Sequence, residues 1–189
     1  MAGKRRLFIV HGLMATPADH WFQWLKEKAL ALGLETFIPA MPDSDAPDNA
    51  RWQAALAQSV GDVDGNTWFV GHSLGCISVL RYLSQRPEAQ HAGGIVLVSG
   101  FSEPVPGLEM LDSFTRTPLA NVDKLLRIPH RAVVASLNDE IVPPVYTARL
   151  SQQLKAPLYG LPDCGHFLDR EGFTTLPPVA DLLAQQLSA

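Results

Sequence analysis

The chain has 189 residues, of which 47% are hydrophobic and 18% charged, and its net charge is −4. This is an ordinary balance for one globular domain with a sizeable core. The acidic charge and the lack of any Lys/Arg run argue against a nucleic-acid binder, and no apolar run reaches the length of a membrane span.

The N-terminus, Met1-Ala2-Gly3-Lys4-Arg5-Arg6, is basic, but the apolar run after it, Leu7 to Val10, is too short for a signal segment. Cys76 and Cys164 are the two cysteines, neither with metal-site spacing. Together these point to a cytoplasmic protein in a reducing compartment.

Leu7-Phe8-Ile9-Val10 reads as a strand buried on both faces of a parallel sheet. His11 to Ala15 is the loop after it. Thr16-Pro17-Ala18-Asp19 carries an N-cap, a proline at the first helical position and an acid three residues on, so a helix is expected to start here. That helix would include His20 and would bury Trp21, Trp24, Leu25, Ala29 and Leu32. Glu35 to Ile38 is the second strand, Met41 to Asn49 a loop, and Trp52 to Val60 a short helix.

Trp68 to Cys76 then reads as strand, tight turn and helix, with Gly71-x-Ser73-x-Gly75 at its centre. This is the G-x-S-x-G elbow, in which a serine on a strained strand-to-helix turn is lifted clear of the sheet. Glycines are needed because side chains there would meet neighbouring backbone. The helix runs from Leu74 to Ser84, and Ile95 to Val98 is the fourth strand. Phe101 to Arg127 is long and proline-containing, and its apolar residues suit either packing on the domain or a short lid and pocket wall. Arg131 to Ala135 is the fifth strand. Pro143-Pro144 opens a helix through Leu150, Leu158-Tyr159 is a weak sixth strand, and Pro177-Pro178 opens the last helix.

Strands alternating with helices imply a mostly parallel six-stranded α/β sheet covered on both faces, in a single domain spanning 1–189. A serine needs a base, and the base an orienting acid. In the chain order Ser, acid, His, the elbow serine Ser73 is followed by Asp139 after the fifth strand and His166 after the sixth. Asp163, close to His166 in sequence, is the rival acid. His11 and His72 read as local hydrogen-bonding residues beside the site, while His91 and His130 lie toward the opposite sheet edge. The oxyanion would be held by the backbone N–H groups of Leu74 and Leu13. Met14, Leu111, Phe114 and Phe167 are candidates for the substrate pocket. No metal and no cofactor are expected.

His11-Gly12 with His20-Trp21, Gly71-His72-Ser73-Leu74-Gly75, Ala135-Ser136-x-Asn138-Asp139-x-x-Val142-Pro143 and Gly165-His166 occur together in this short chain. The set resembles the small serine hydrolases of the retinoblastoma-binding-protein-nine and YdeN type, over essentially the whole chain. The resemblance implies a compact α/β-hydrolase fold without a large cap domain and a triad of Ser73, Asp139 and His166. Phe167-Leu168-Asp169 and Thr175-Leu176-Pro177 depart from the polar segment and Gly-Trp-Pro stretch that often follow the family's histidine.

The expected activity is hydrolysis of a small-molecule carboxylic ester, or an amide, through an acyl-enzyme. Two alternatives stand beside it. One is an acyltransferase or peptidase on the same triad. The other is a protein-binding module with a vestigial triad, for which the family name leaves a protein partner open.

Overall fold

A computed structural model describes residues 3–189. Its sheet has six strands: β1 (Arg6–Val10), β2 (Glu35–Phe37), β3 (Thr67–His72), β4 (Gly94–Val98), β5 (His130–Ser136) and β6 (Leu158–Leu161). All neighbours pair in parallel, in the order β2-β1-β3-β4-β5-β6. The chain leaves β1 toward one edge and from β3 onward builds toward the other. The topological switch therefore falls between β1 and β3, and open α/β sheets bind ligands at the carboxyl ends of such a pair.

Successive side chains of a strand point to opposite faces. Phe8, Val10, Phe69, Ile95, Leu97 and Val133 go to one face. There they meet helices α2 (Asn49–Val60), α3 (Leu74–Ser84) and α6 (Pro144–Gln153). Leu7, Ile9, Val70, Val96, Val98 and Val134 go to the other, against α1 (Phe22–Ala31) and α7 (Pro177–Ser188). All eleven residues of α3 are buried, so the elbow helix sits on the sheet with no solvent face. Among the described residues, no helix is long and apolar enough to cross a membrane.

Two expectations are corrected. The first helix starts at Phe22 rather than after Thr16. Asp19 Oδ2 does accept the Thr16 N–H at 2.7 Å, but this closes a turn, because His20 adopts a left-handed φ of 52° that a helix cannot continue through. His20 is thus not helical. The buried stripe of α1 is Phe22, Leu25 and Ala29, while Leu32 is 38% exposed and Trp24 only partly covered.

Residues 101–127 form no strand. They contain a single 3-10 turn at Glu109–Leu111 and two short helices, α4 (Asp112–Thr115) and α5 (Val122–Leu125). Phe101, Val105, Leu111, Phe114 and Leu119 are buried against α2 and α3. The guanidinium of Arg81, on α3, donates to the carbonyls of Phe114 and Thr117 and ties the segment down.

Candidate active site

Ser73 follows β3 with φ 54° and ψ −120°, a conformation L-residues rarely hold, and α3 starts at the next residue. The surrounding glycines make the turn feasible. A Cβ on Gly75 would lie 2.1 Å from the Val10 carbonyl oxygen, and one on Gly71 would lie 2.9 Å from the backbone of Cys76. Gly12, after β1, packs under the elbow, where a Cβ would stand 3.0 Å from that of Ser73. Among the described residues, the N–H groups of Leu13 and Leu74 have no protein partner. They lie on the two loops that flank the β1–β3 switch.

His166 Nδ1–H donates to Asp139 Oδ2 at 2.7 Å, and both side chains are 5% exposed or less. Asp139 Oδ1 accepts the N–H groups of Ile141 and Val142, each at 2.9 Å. The acid therefore has one oxygen fixed by its own loop and the other aimed at the imidazole. Asp163 makes no such contact; it lies on the exposed turn before His166.

Ser73 and His166 line the same cleft. Among the described residues the Ser73 hydroxyl makes no hydrogen bond.

The loop that carries His166 is held by groups that sequence reasoning did not assign. Glu171 Oε2 accepts the N–H of His166 at 2.8 Å and of Leu168 at 3.0 Å. Gly165 sits beneath that carboxylate with φ +53°, and a Cβ there would lie 2.4 Å from Glu171 Oε1. Asn138 Oδ1 accepts from Ser136 Oγ at 2.7 Å and from the Gly165 N–H at 2.8 Å, and Ser136 Oγ accepts the Cys164 N–H at 3.1 Å. The Ser136-x-Asn138-Asp139 stretch thus fastens the acid loop to the histidine loop. Its Ser and Asn were visible in the sequence; their role was not.

Three further histidines, His11, His20 and His72, pack around the site. His72 Nε2–H donates to the His166 carbonyl at 2.8 Å. Burial, and then the neighbouring His166, push the His72 imidazole well below its usual pKa range, so it holds the His166 main chain as a neutral donor. Its Nδ1 is buried without a partner. His11 Nε2 accepts the Met41 N–H at 3.0 Å while Nδ1–H donates to Gly12, and burial lowers its pKa too. Both are the local hydrogen-bonding residues expected. His20 stacks edge-on against His72, with centroids 5.6 Å apart.

The cleft holds about 320 Å³. Met14 lines its rim at 74% exposure, and Leu13 and Leu111 line it as well. Phe114 and Phe167 do not. Phe114 is fully buried edge-on against Trp52. Phe167 has φ 56°, which turns it to the other face of the sheet beside Phe173 and Trp21. Leu108, Ile141 and Leu168 supply apolar wall instead, and Asp19, His20, Asp169 and Arg170 a polar one. Among the described residues, no group of three or more His, Cys, Asp or Glu is arranged to hold a metal.

A family model described as Serine hydrolase matches residues 7–185. YdeN of Bacillus subtilis (strain 168) is 41% identical over 184 residues, which cover 97% of each chain. The crystal structure of that gene product aligns with a TM-score of 0.94 over 98% of this chain and 100% of its own. Serine hydrolase RBBP9 of Rattus norvegicus is 23% identical over 169 residues, 88% of each chain. Est1E from Butyrivibrio proteoclasticus, at 15% identity, shares the fold with a TM-score of 0.73, over 100% of this chain and 91% of that one.

Proposed function

The chain belongs to the serine hydrolase family, and from that premise we propose that it hydrolyses small carboxylic esters through an acyl-enzyme on Ser73. The observation that carries this reading is the buried His166–Asp139 pair, at 2.7 Å, in one cleft with a serine on a strained elbow.

Asp139 holds the imidazole with its proton on Nδ1, which leaves Nε2 free to take the proton of Ser73 Oγ. Ser73 attacks the ester carbonyl, and the N–H groups of Leu13 and Leu74 receive the developing oxyanion. His166 passes the proton to the departing alcohol, then activates water to release the acid. Esters are preferred over amides in this reading because their leaving groups need less assistance.

A fluorophosphonate probe tests it. The probe should label the protein on Ser73, Ser73→Ala should lose both label and p-nitrophenyl butyrate hydrolysis, and the alanine variant should stay folded. Absence of labelling and hydrolysis in the wild type would favour a protein-binding module with an unused triad.

A further inference from the structure

The two walls of the cleft differ in chemistry, and His166 decides which of them faces the leaving group. The departing oxygen takes its proton from His166 Nε2, so the alcohol part of the ester lies on the His166 side. His20, which stacks on His72 beside His166, and Asp169 and Arg170, which follow His166 in the chain, belong to that side with Asp19 and the apolar Leu168, while Leu13, Leu108 and Leu111 line the cleft with apolar groups.

His20 is held for a purpose the mechanism does not use. Its Nδ1 lies 3.1 Å from the Asp169 N–H and 3.4 Å from Asp169 Oδ1; the shorter contact, with the main-chain N–H as donor, goes with a neutral ring whose proton is on Nε2. Burial lowers its pKa and favours that neutral form. Among the described residues Nε2 has no partner, and it is not among the buried unpaired atoms, so it stands open as a donor on a ring that lines the cleft. The Arg170 guanidinium, exposed, makes no ion pair among the described residues and adds further donors.

The acceptors are two carboxylates. Asp19 Oδ2 takes the Thr16 N–H and Asp169 Oδ1 the Arg170 N–H, each at 2.7 Å, and each group keeps lone pairs free. Two carboxylates against one guanidinium repel an anionic alcohol, and a plain alkyl alcohol forfeits every one of these hydrogen bonds. The group that matches is uncharged and carries donors and acceptors together.

We propose that the cleft takes esters of a small polyhydroxy alcohol, of about glycerol size, with His20 as the specificity-determining donor to its hydroxyls. The size follows from the cleft, which at about 320 Å³ must hold acyl chain and alcohol together and lies at the low end of ligand pockets. The reaction is a hydrolysis. The Ser73 Oγ–acyl bond forms and the bond between the acyl carbon and the ester oxygen breaks, the polyol leaves with that oxygen and the proton Ser73 gave up, and water then adds to the acyl carbon and releases the carboxylic acid as Ser73 regains its proton. The inference rests on the ester-hydrolase reading of Ser73, and the test separates the two.

The experiment compares kcat/KM for glyceryl 1-monobutyrate and for propyl butyrate, which has the same carbon skeleton without the two extra hydroxyls. The wild type should favour the glyceryl ester by about tenfold or more, since each hydroxyl recovers a hydrogen bond. His20→Phe should bring the ratio toward one, and His20→Asn, which tolerates the left-handed backbone, covers the case that the ring variant does not fold. Arg170→Ala should lower the ratio less. If His20 were merely structural, both esters would decline in parallel and the ratio would stand, which overturns the proposal. A wild-type ratio near one overturns it too, and leaves Ser73 as nucleophile provided p-nitrophenyl butyrate is cleaved. Failure to cleave any of the three esters overturns both readings.

Discussion

The elbow and the segment 101–127 both face the cleft, but they are held by different forces. Around Ser73 the constraint is mainly backbone against backbone: Gly71 and Gly75 have no room for a Cβ, Gly12 has only tight room for one, and the Asp139 and His166 loops are tied by main-chain hydrogen bonds to side chains. The segment 101–127 is held mainly by apolar burial, with Arg81 as its chief polar tether. Hydrogen-bond geometry is directional and fixes positions to fractions of an ångström, whereas hydrophobic burial is non-directional and tolerates repacking. The machinery of the reaction should therefore respond to isosteric changes, and the wall only to changes of volume.

The largest effect expected on this view comes from a change of one atom. In Asp139→Asn, the Ile141 and Val142 N–H groups still require an oxygen at the Oδ1 position, so the amide nitrogen must face His166 Nδ1. That forces the proton onto Nε2, where it cannot accept from Ser73, and kcat should fall by about 10⁴-fold with little change in melting temperature. Asp163→Asn should be mild. Equal losses in the two variants would mean that the acid is not singled out by its hydrogen bonds.

Phe114→Ala is the counterpart on the wall. The ring is fully buried against Trp52 and off the cleft, so its removal should cost about 3–5 kcal/mol of stability by chemical denaturation. The ranking of p-nitrophenyl esters by acyl length should survive. A reordered ranking would show that the ring reaches the substrate.

Glu171→Ala should sit between the two. It removes the acceptor of two N–H groups in the histidine loop, and charge-assisted bonds of this kind imply about a 10- to 100-fold fall in kcat at nearly constant KM. Glu171→Gln should recover much of this, because an amide oxygen can accept both. No recovery in the glutamine variant would point to the charge rather than to the clamp.

The two regions should also separate by pH. His72 and His11 lie on the elbow side with pKa values lowered by burial, and the segment 101–127 contains no histidine. Below the unfolded value of about 6.5 the unfolded chain binds protons that the folded chain refuses. Stability should thus be full above that pH and fall below it, approaching about 1.4 kcal/mol per pH unit for His72. Denaturation between pH 8 and pH 5 should show the decline, and His72→Gln should flatten it. An unchanged slope in that variant would assign the protons elsewhere.

The same contrast explains what could be read from the sequence. The elbow was legible because glycine at fixed spacing records a steric demand that is local to the chain. The continuous apolar strands announced a parallel sheet for the same reason. His20 was expected on a helix, but it has a left-handed φ and contacts Asp169 and His72, residues far away in sequence. Phe167 neighbours His166 in the chain yet lies on the opposite face, since two left-handed residues, Gly165 and Phe167, reverse the loop within three positions. Glu171 carried no motif: its role exists only once the loop has folded under it. Leu108, Ile141 and Leu168 line the cleft by tertiary packing, which leaves no signature in spacing.

The smallest effect expected concerns a buried residue of the segment that lines the cleft beside the elbow. Leu111 ends the 3-10 turn, is 2% exposed, and is the buried residue of the segment that lines the cleft. Its neighbour Met110 points outward at 61% exposure, so the turn presents a single side chain to the site. Leu111→Ala should lengthen the apolar end of the cleft by roughly a few methylene groups, each worth about 1–3 kcal/mol of discrimination when fully enclosed. The cleft is open, so much of that is lost to solvent, and a shift of about tenfold in preference from butyrate toward octanoate is expected. The measurement is kcat/KM for p-nitrophenyl acetate through octanoate. Met110→Ala serves as the control and should leave the profile where it was. Parallel losses across the series for Leu111→Ala would show that the segment only covers the core, and that the acyl chain binds elsewhere, against Leu168 or Ile141.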